Sequence, residues 1–208
     1  MKNPWETIAL RDYENHMRLD SVRQLQVLNE LMKGQLNARR ASKVMILGVA
    51  GGNGLEHISK EQFKKVYGVD VNASYLEAAA ERHPHLKGVL ECLCADLTEE
   101  PCRLPEAELV IADLLVEYIG YPCFQRVIRH VRPEYVSCVI QINHTEDGWV
   151  SDSPYLHVFD VLEGIHQQVG EDALRTAMAR IGYVPAKHLE RSLPNGKRFV
   201  RLDFERKP

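Results

Sequence analysis

Apolar positions divide this chain into a helical opening followed by short apolar runs that alternate with helical segments. Val22, Leu25, Leu28, Leu31 and Met32 recur at helical spacing and predict a helix with one apolar face. Ser21-x-x-Gln24 ahead of them reads as a capping box. Val44-Met45-Ile46-Leu47 is a continuous apolar run, the mark of a strand buried on both faces. Further strands are predicted at Val66–Val71, Val89–Cys94, Leu109–Leu115 and Tyr135–Ile142. Between them, Leu55, Ile58, Gln62 and Phe63 suggest a short helix. Tyr75–Arg82 reads as a helix capped by Asn72 or Ser74 and stopped by Pro84, and Phe124, Val127, Ile128 and Val131 mark another. Strands alternating with helices predict an α/β fold with a parallel sheet and helices on both faces.

The end of the chain departs from that alternation. A helix over Val169–Ile181 closes at Gly182, and two strand-like runs, Tyr183–Leu193 and Arg198–Glu205, flank Pro194-Asn195-Gly196-Lys197. Asn-Gly between such runs signals a hairpin. Seven strands are therefore expected, mostly parallel, with a C-terminal antiparallel pair. Residues 143–168 form a long connection of turn-rich composition, of the kind that builds lids and binding loops. His157, Asp160, His166, Gln167 and Gln168 are placed there on a further helix.

The candidate chemistry lies at the ends of the apolar runs. Gly48-Val49-Ala50-Gly51-Gly52-Asn53-Gly54 follows the first strand, a glycine-rich turn that lets backbone N–H groups approach a ligand. The next runs end in Asp70-Val71, Asp96-Leu97 and Asp113-Leu114. An acid roughly twenty residues beyond such a turn suits a ribose diol, because a carboxylate accepts from two hydroxyls. His144, at the end of the fifth strand, is a candidate proton acceptor because imidazole titrates near neutrality.

The order of these segments resembles a class I S-adenosylmethionine-dependent methyltransferase, over about residues 40 to 206. The resemblance implies a Rossmann-like, doubly wound sheet with an N-terminal helical extension. It implies S-adenosylmethionine as cofactor and S-adenosylhomocysteine as product. By it, Gly48, Val49, Ala50, Gly51, Gly52, Asn53 and Gly54 form the first motif, and Asp70 with Val71 takes the ribose. Asp96 with Leu97 lies against the adenine amino group, and Asp113 with Leu114 stands beside the transferred methyl. Residues 1–40 are then a helical cap of the same domain. Residues 41–208 are the cofactor-binding part, with the lid-like insertion near 143–168. Tyr13 and His16 become pocket residues, and Glu117 and Tyr118 open the substrate region, where they position a nucleophile or take its proton. Each also has a plainly structural reading, as a packing or capping group. Two positions depart from the family: Gly48 stands where an acid is usual, and Ala50 replaces the first glycine. The carboxylate that usually meets the α-amino group is thus missing. No Asn/Asp-Pro-Pro-aromatic motif stands at Asp113-Leu114-Leu115, which favours a small-molecule acceptor over a nucleobase or glutamine amide.

Composition narrows the partners. With 208 residues and a net charge of −3, the chain is long enough for one substantial core and is not a general nucleic-acid binder. Arg191, Lys197, Arg198 and Arg201 would supply only part of a basic channel. No targeting segment and no membrane-length apolar run are seen, and five cysteines without C-x-x-C spacing read as reduced thiols of a cytoplasmic protein. Neither composition nor motif decides the oligomeric state, and a homodimer is open. Two other readings stay open: a non-catalytic S-adenosylmethionine-binding module, suggested by the missing acid, and an NAD-dependent oxidoreductase. The second is disfavoured because His57 stands where its fingerprint needs glycine or alanine.

Overall fold

One seven-stranded sheet carries the chain, in the order β3-β2-β1-β4-β5-β7-β6. The computed structural model describes residues 2–100, 103–143 and 148–207. The strands are β1 (Lys43–Leu47), β2 (Lys65–Asp70), β3 (Leu90–Cys94), β4 (Leu109–Asp113), β5 (Tyr135–Ile142), β6 (Tyr183–Ser192) and β7 (Arg198–Arg206). β1 to β5 pair in parallel, whereas β7 runs antiparallel to both β5 and β6. Gly196, with φ +81°, lies in the turn between β6 and β7, where glycine tolerates the left-handed backbone.

Helices cover both faces because the central strands are apolar on both. Val44 and Ile46 of β1, with Leu109 and Ile111 of β4, pack with Met32 and Leu36 of α2 (Gln24–Leu36) and Leu76 and Ala79 of α3 (Ala73–Arg82). Met45 and Leu47 face the other way, toward Val116, Phe124 and Val127 of α4 (Val116–Val131) and Leu174 and Met178 of α5 (Glu171–Ala179). Burying each Val, Leu, Ile, Phe or Met side chain contributes about 1.5–3 kcal/mol. A smaller apolar cluster of Ile8, Phe159 and Leu162, with Trp5, Tyr13, Tyr118 and Trp149 against it, sits above the carboxyl ends of the strands. It joins α1 (Leu10–Arg18) to the segment after β5.

Several elements differ from their sequence expectation. Ser21 does not cap α2, whose N-cap is Arg23 in a left-handed conformation without a side-chain bond. The expected helix over residues 55–63 is a single 3-10 turn, Leu55–His57, after which Ile58 is extended. That path buries Leu55, Ile58 and Phe63 in the α2/α3 face. Residues 157–168 likewise form a 3-10 stretch, Leu156–Leu162, and His166 lies beyond it. α4 is interrupted at Gly120 (φ 70°, ψ 165°), which leaves Val116–Ile119 as a separate turn. α3 starts as expected, with Asn72 accepting from the Ser74 N–H at 3.1 Å.

Candidate active site

A cavity of about 390 Å³ opens over the carboxyl ends of β1 and β4. This is where the strand order reverses, the position at which α/β sheets bind ligands. Its size falls within the ~300–1,000 Å³ range of small-molecule sites. The floor is made by Gly48 and Ala50, by Asp70 and Val71 after β2, Asp96 and Leu97 after β3, and Asp113 and Leu114 after β4. All eight are residues that the motif spacing singled out.

The glycine-rich turn is tied down by backbone bonds from Gly48 and Val49 N–H to the Val69 carbonyl, at 2.8 and 3.1 Å. Ala50 is left-handed (φ +46°), and its N–H donates to Asp70 Oδ2 at 2.9 Å. The second half of the turn faces away from the cavity. Asn53 is held by Asn29 and the Leu25 carbonyl on α2, at 3.0 and 2.9 Å. A Cβ on Gly51 would stand 2.5 Å from Glu14 and from Arg82, which pair there and join α1 to α3. A Cβ on Gly54 (φ +92°) would meet Met32 Cγ at 2.6 Å. Val49 is buried in the α2/α3 core. Thus Val49, Gly51, Gly52, Asn53 and Gly54 shape the turn without lining the cavity, and no long helix follows to present an N-terminus.

Asp70 accepts from two backbone N–H groups, of Ala50 and Asn72, both at 2.9 Å, and burial raises its pKa above the usual value. Each oxygen keeps a further lone pair for a ligand hydroxyl. Asp96 accepts from Thr98 N–H (2.8 Å), Thr98 Oγ1 (2.6 Å) and Asn3 Nδ2 (2.8 Å). The Asn3 carboxamide therefore occupies the oxygen expected to meet an amino group.

Two carboxylates are incompletely satisfied. Asp113 takes one bond, from Gln35 Nε2 at 2.7 Å, and its Oδ2 is buried with no partner among the described residues. Burial pushes its pKa to about 7. By continuation of the β1–β4 register, in which Leu47 faces Ala112, Asp113 stands across from Gly48. Gly48 has φ +70°, and a Cβ there would lie 3.3 Å from Leu115, so a side chain is disfavoured at that point. Glu117 Oε1 accepts the Gln141 N–H at 2.9 Å, while Oε2 has no partner among the described residues. Glu117 is 4% exposed, and burial pushes its pKa also to about 7.

The roof is aromatic. Trp5 meets Tyr13 and Tyr118 edge-on, at 5.9 and 4.9 Å between centroids, and Trp149 stacks on His166 at 4.1 Å. Burial, then Asp70, Glu14 and Asp113, raise the Tyr13 phenol far above its ordinary value, and burial does the same for Tyr118. Both remain protonated at neutral pH. His16 Nδ1 lies 2.7 Å from Ser153 Oγ, and burial followed by Lys197 lowers its pKa to about 4. It is neutral at pH 7 and ties α1 to the roof. His144, the candidate proton acceptor, lies outside the described residues. Sequence spacing missed Trp5 and Gln141 as wall residues, treated Trp149 only as part of a loop and put His166 on a helix of the insertion. The available signal was that the chain's two tryptophans, Trp5 and Trp149, flank the two variable segments.

Among the described residues, the basic side chains expected near the C-terminus are engaged in local pairs rather than lined up as a channel. Arg201 is buried against Asp203 (2.8 and 2.6 Å), Lys197 donates to the carbonyls of Gly148 and Trp149 (2.7 and 2.9 Å), and Arg198 pairs with Glu171 and Glu190. Cys92, Cys94 and Cys138 are free thiols. Among the described residues no helix is long and apolar enough to cross a membrane.

Comparison with known proteins agrees with this geometry. A family model described as a methyltransferase domain matches residues 46–135. No curated protein sequence matches the chain. Among solved structures, the N-methyltransferase NodS from Bradyrhizobium japonicum WM9, in complex with S-adenosylhomocysteine, superposes with a TM-score of 0.67 at 10% identity, covering 96% of this chain and 98% of that one. Magnesium protoporphyrin IX methyltransferase from Synechocystis PCC 6803, with bound S-adenosylmethionine, gives 0.61 at 13% identity, covering 93% and 83%. The cyclase SpnF gives 0.66 at 10% identity, covering 91% and 84%. At these identities the likeness is one of fold. The domain match lies across the glycine-rich turn, Asp70, Asp96 and Asp113 of a sheet in this order, so this part of the chain is similar to a methyltransferase domain.

Proposed function

We propose that the protein transfers a methyl group from S-adenosylmethionine to a small-molecule acceptor bound under the aromatic roof. The observation that carries this reading is one continuous cavity. Its floor holds the tied turn at Ala50 with Asp70, and its walls hold Trp5, Tyr118 and Trp149. When bound, the cofactor supplies an electrophilic sulfonium methyl, and the intrinsic reactivity is its own. The chain's part is to bind, align and exclude water. Asp70 offers its free lone pairs to the ribose diol, and Asp96 meets the adenine amino group once Asn3 yields its place. Asp113, with a buried oxygen and no partner among the described residues, takes the cationic end in place of the side chain that Gly48 lacks. The roof segment, residues 148–168 with α1 beneath it, acts as the lid, and residues 2–40 act as a cap of the same domain. Neighbours of this fold act on magnesium protoporphyrin IX or, in the case of NodS, as N-methyltransferases, and a cavity of this size suits a small acceptor here.

The test is calorimetric titration with S-adenosylmethionine, S-adenosylhomocysteine and NAD, on the wild type and on Asp70→Ala. Micromolar binding of both adenosyl ligands, weakened at least about tenfold in the variant and absent for NAD, is expected. Failure of S-adenosylhomocysteine to bind the wild type would overturn the assignment. Missing Gly48 acidity and the likeness to a cyclase favour one other reading, a cofactor-binding protein that does not transfer methyl groups. Retention of the radiolabelled methyl on the cofactor through an acceptor screen would mark that outcome.

A further inference from the structure

Among the described residues the cavity wall carries four carboxylates, Asp70, Asp96, Asp113 and Glu117, against one cationic side chain, Lys2, with the Lys197 ammonium behind the roof, close enough to act on His16 and His166. Lys2 is largely exposed and lies 3.8 Å from Glu6. The two wall histidines, His16 and His166, both have pKa values lowered by burial and do not offset this charge. Asp70, Asp96 and Asp113 stand on the floor, under the adenosyl ligand. Glu117 is left over. It sits on the broken turn before Gly120, where its carbonyl accepts the Gln167 N–H at 2.7 Å and Oε1 accepts the Gln141 N–H at 2.9 Å. A Cβ on Gly120 would lie 3.0 Å from Gln167, so the break allows this close seating. The residue is therefore held by backbone N–H groups at its carbonyl and at Oε1, with Oε2 unpartnered among the described residues. Tyr118 is its chain neighbour, and the rings of Trp5, Trp149 and His166 lie within 4.9, 6.3 and 5.7 Å of the Tyr118 ring.

A buried carboxylate without a counter-charge is costly, and aromatic faces attract cations. A hydroxyl would fill the vacant hydrogen bond but leave the charge uncompensated, and an anion would be repelled. Resting on the methyltransferase reading above, we propose that the acceptor is a primary or secondary amine on a flat apolar frame, bound as its ammonium ion by Glu117 against the aromatic roof. The chemistry balances. The ammonium N–H proton passes to Glu117 Oε2, leaving a neutral amine with its lone pair. That pair forms the N–CH3 bond as the S–CH3 bond breaks, and the S–CH3 pair stays on sulfur as a thioether. The product is an N-methylammonium ion, and Glu117 later returns its proton to water.

The experiment titrates the protein, with and without saturating S-adenosylhomocysteine, with phenethylamine, phenethyl alcohol and phenylpropionate. These three probes share a ring and differ in charge. Wild type should bind the amine at least about tenfold more tightly than the alcohol and the anion least. In Glu117→Gln the amine and alcohol should bind within about twofold of each other, with S-adenosylhomocysteine affinity unchanged as the check on folding. Equal wild-type binding of amine and alcohol, binding of none of the probes, or a preference surviving in Glu117→Gln would each overturn the proposal. The wild-type comparison stands without any variant. Loss of S-adenosylhomocysteine binding alone, with the amine preference intact, would sink the donor assignment and leave the cation site standing.

Discussion

Replacing Glu117 by glutamine should shift the stability of the ligand-free protein in the variant's favour as pH rises. Burial lifts this carboxyl from its ordinary 4.5 to about 7, and the residue is 4% exposed. Below about pH 4.5 the acid is protonated in both folded and unfolded chains and its burial exacts no ionic cost. Between 4.5 and 7 the unfolded chain ionises while the folded one keeps its proton, so folding loses stability as pH rises. Above 7 the full cost is present. At ~1.4 kcal/mol per pKa unit the shift corresponds to about 3 kcal/mol, of which about 2–3 kcal/mol accrues between pH 5 and 8. Glutamine keeps the shape and the acceptor for the Gln141 N–H but does not titrate, at the cost of a buried amide donor worth about 1–3 kcal/mol. The stability difference between variant and wild type should thus shift in the variant's favour by about 2–3 kcal/mol from pH 5 to 8. In a chain of this length that is roughly 5–10 °C in melting temperature. Urea unfolding followed by tryptophan fluorescence at several pH values measures it. Asp113 contributes a slope of the same sign and His16, with its lowered pKa, one of opposite sign; both are present in wild type and variant and cancel in the difference. A difference that stays constant within about 0.5 kcal/mol would refute the account of Glu117 as a buried, uncompensated acid.

Two other substitutions probe the frame around the site. Gly54→Ala must adopt φ +92° and drive its Cβ into Met32, so a loss of about 2–4 kcal/mol is expected. Gly88→Ala, at φ +88° with open space around it, should lose only the backbone part, and equal losses at both positions in denaturant unfolding would refute the clash. Asp203→Ala strands Arg201, which is 1% exposed, and should cost about 3–5 kcal/mol. The double change Arg201→Met with Asp203→Leu should recover most of it, and a double variant no better than the single one would show that the pair is not the source.

The strands and their acids were legible because buried parallel strands write themselves as continuous apolar runs, and each such run stops where the chain meets the crevice. Asp70, Asp96 and Asp113 could be placed from that rule alone, and Asn195-Gly196 announced the hairpin. The segment after Gly54 misled because Leu55, Ile58, Gln62 and Phe63 fit a helical period, yet the chain buries Leu55, Ile58 and Phe63 by a 3-10 turn and an extended residue. Apolar spacing reports which residues are buried more faithfully than how the backbone brings them there. The roof was unreadable for a different reason. Trp5 and Trp149 are separated by most of the chain, and what joins them at Tyr118 is tertiary: Asn3 on Asp96, Tyr75 Oη on the Ile8 carbonyl, and Lys197 on the carbonyls of Gly148 and Trp149.

Several of the places where local rules fail lie together at the carboxyl ends of the central strands. Ala50 and Leu114 hold left-handed backbone without being glycine, at φ +46° and +52°. Each such residue costs roughly 1–2 kcal/mol relative to ordinary backbone. α4 breaks at Gly120 within four residues of its start, and Asp113 and Glu117 each bury an oxygen without a partner among the described residues. None of these serves packing. Straightening Leu114 would move Asp113 relative to Gln35, and closing the break at Gly120 would unseat Glu117 from the Gln141 and Gln167 backbone. Strain and unmet charge of this kind persist only where surrounding structure enforces them. Here the enforcement comes from two buried strands, β1 and β4, and from the roof. The folded chain thus maintains two incompletely partnered carboxyl groups beneath an aromatic roof, and the free energy withheld from folding there becomes available when the proposed ammonium ligand enters.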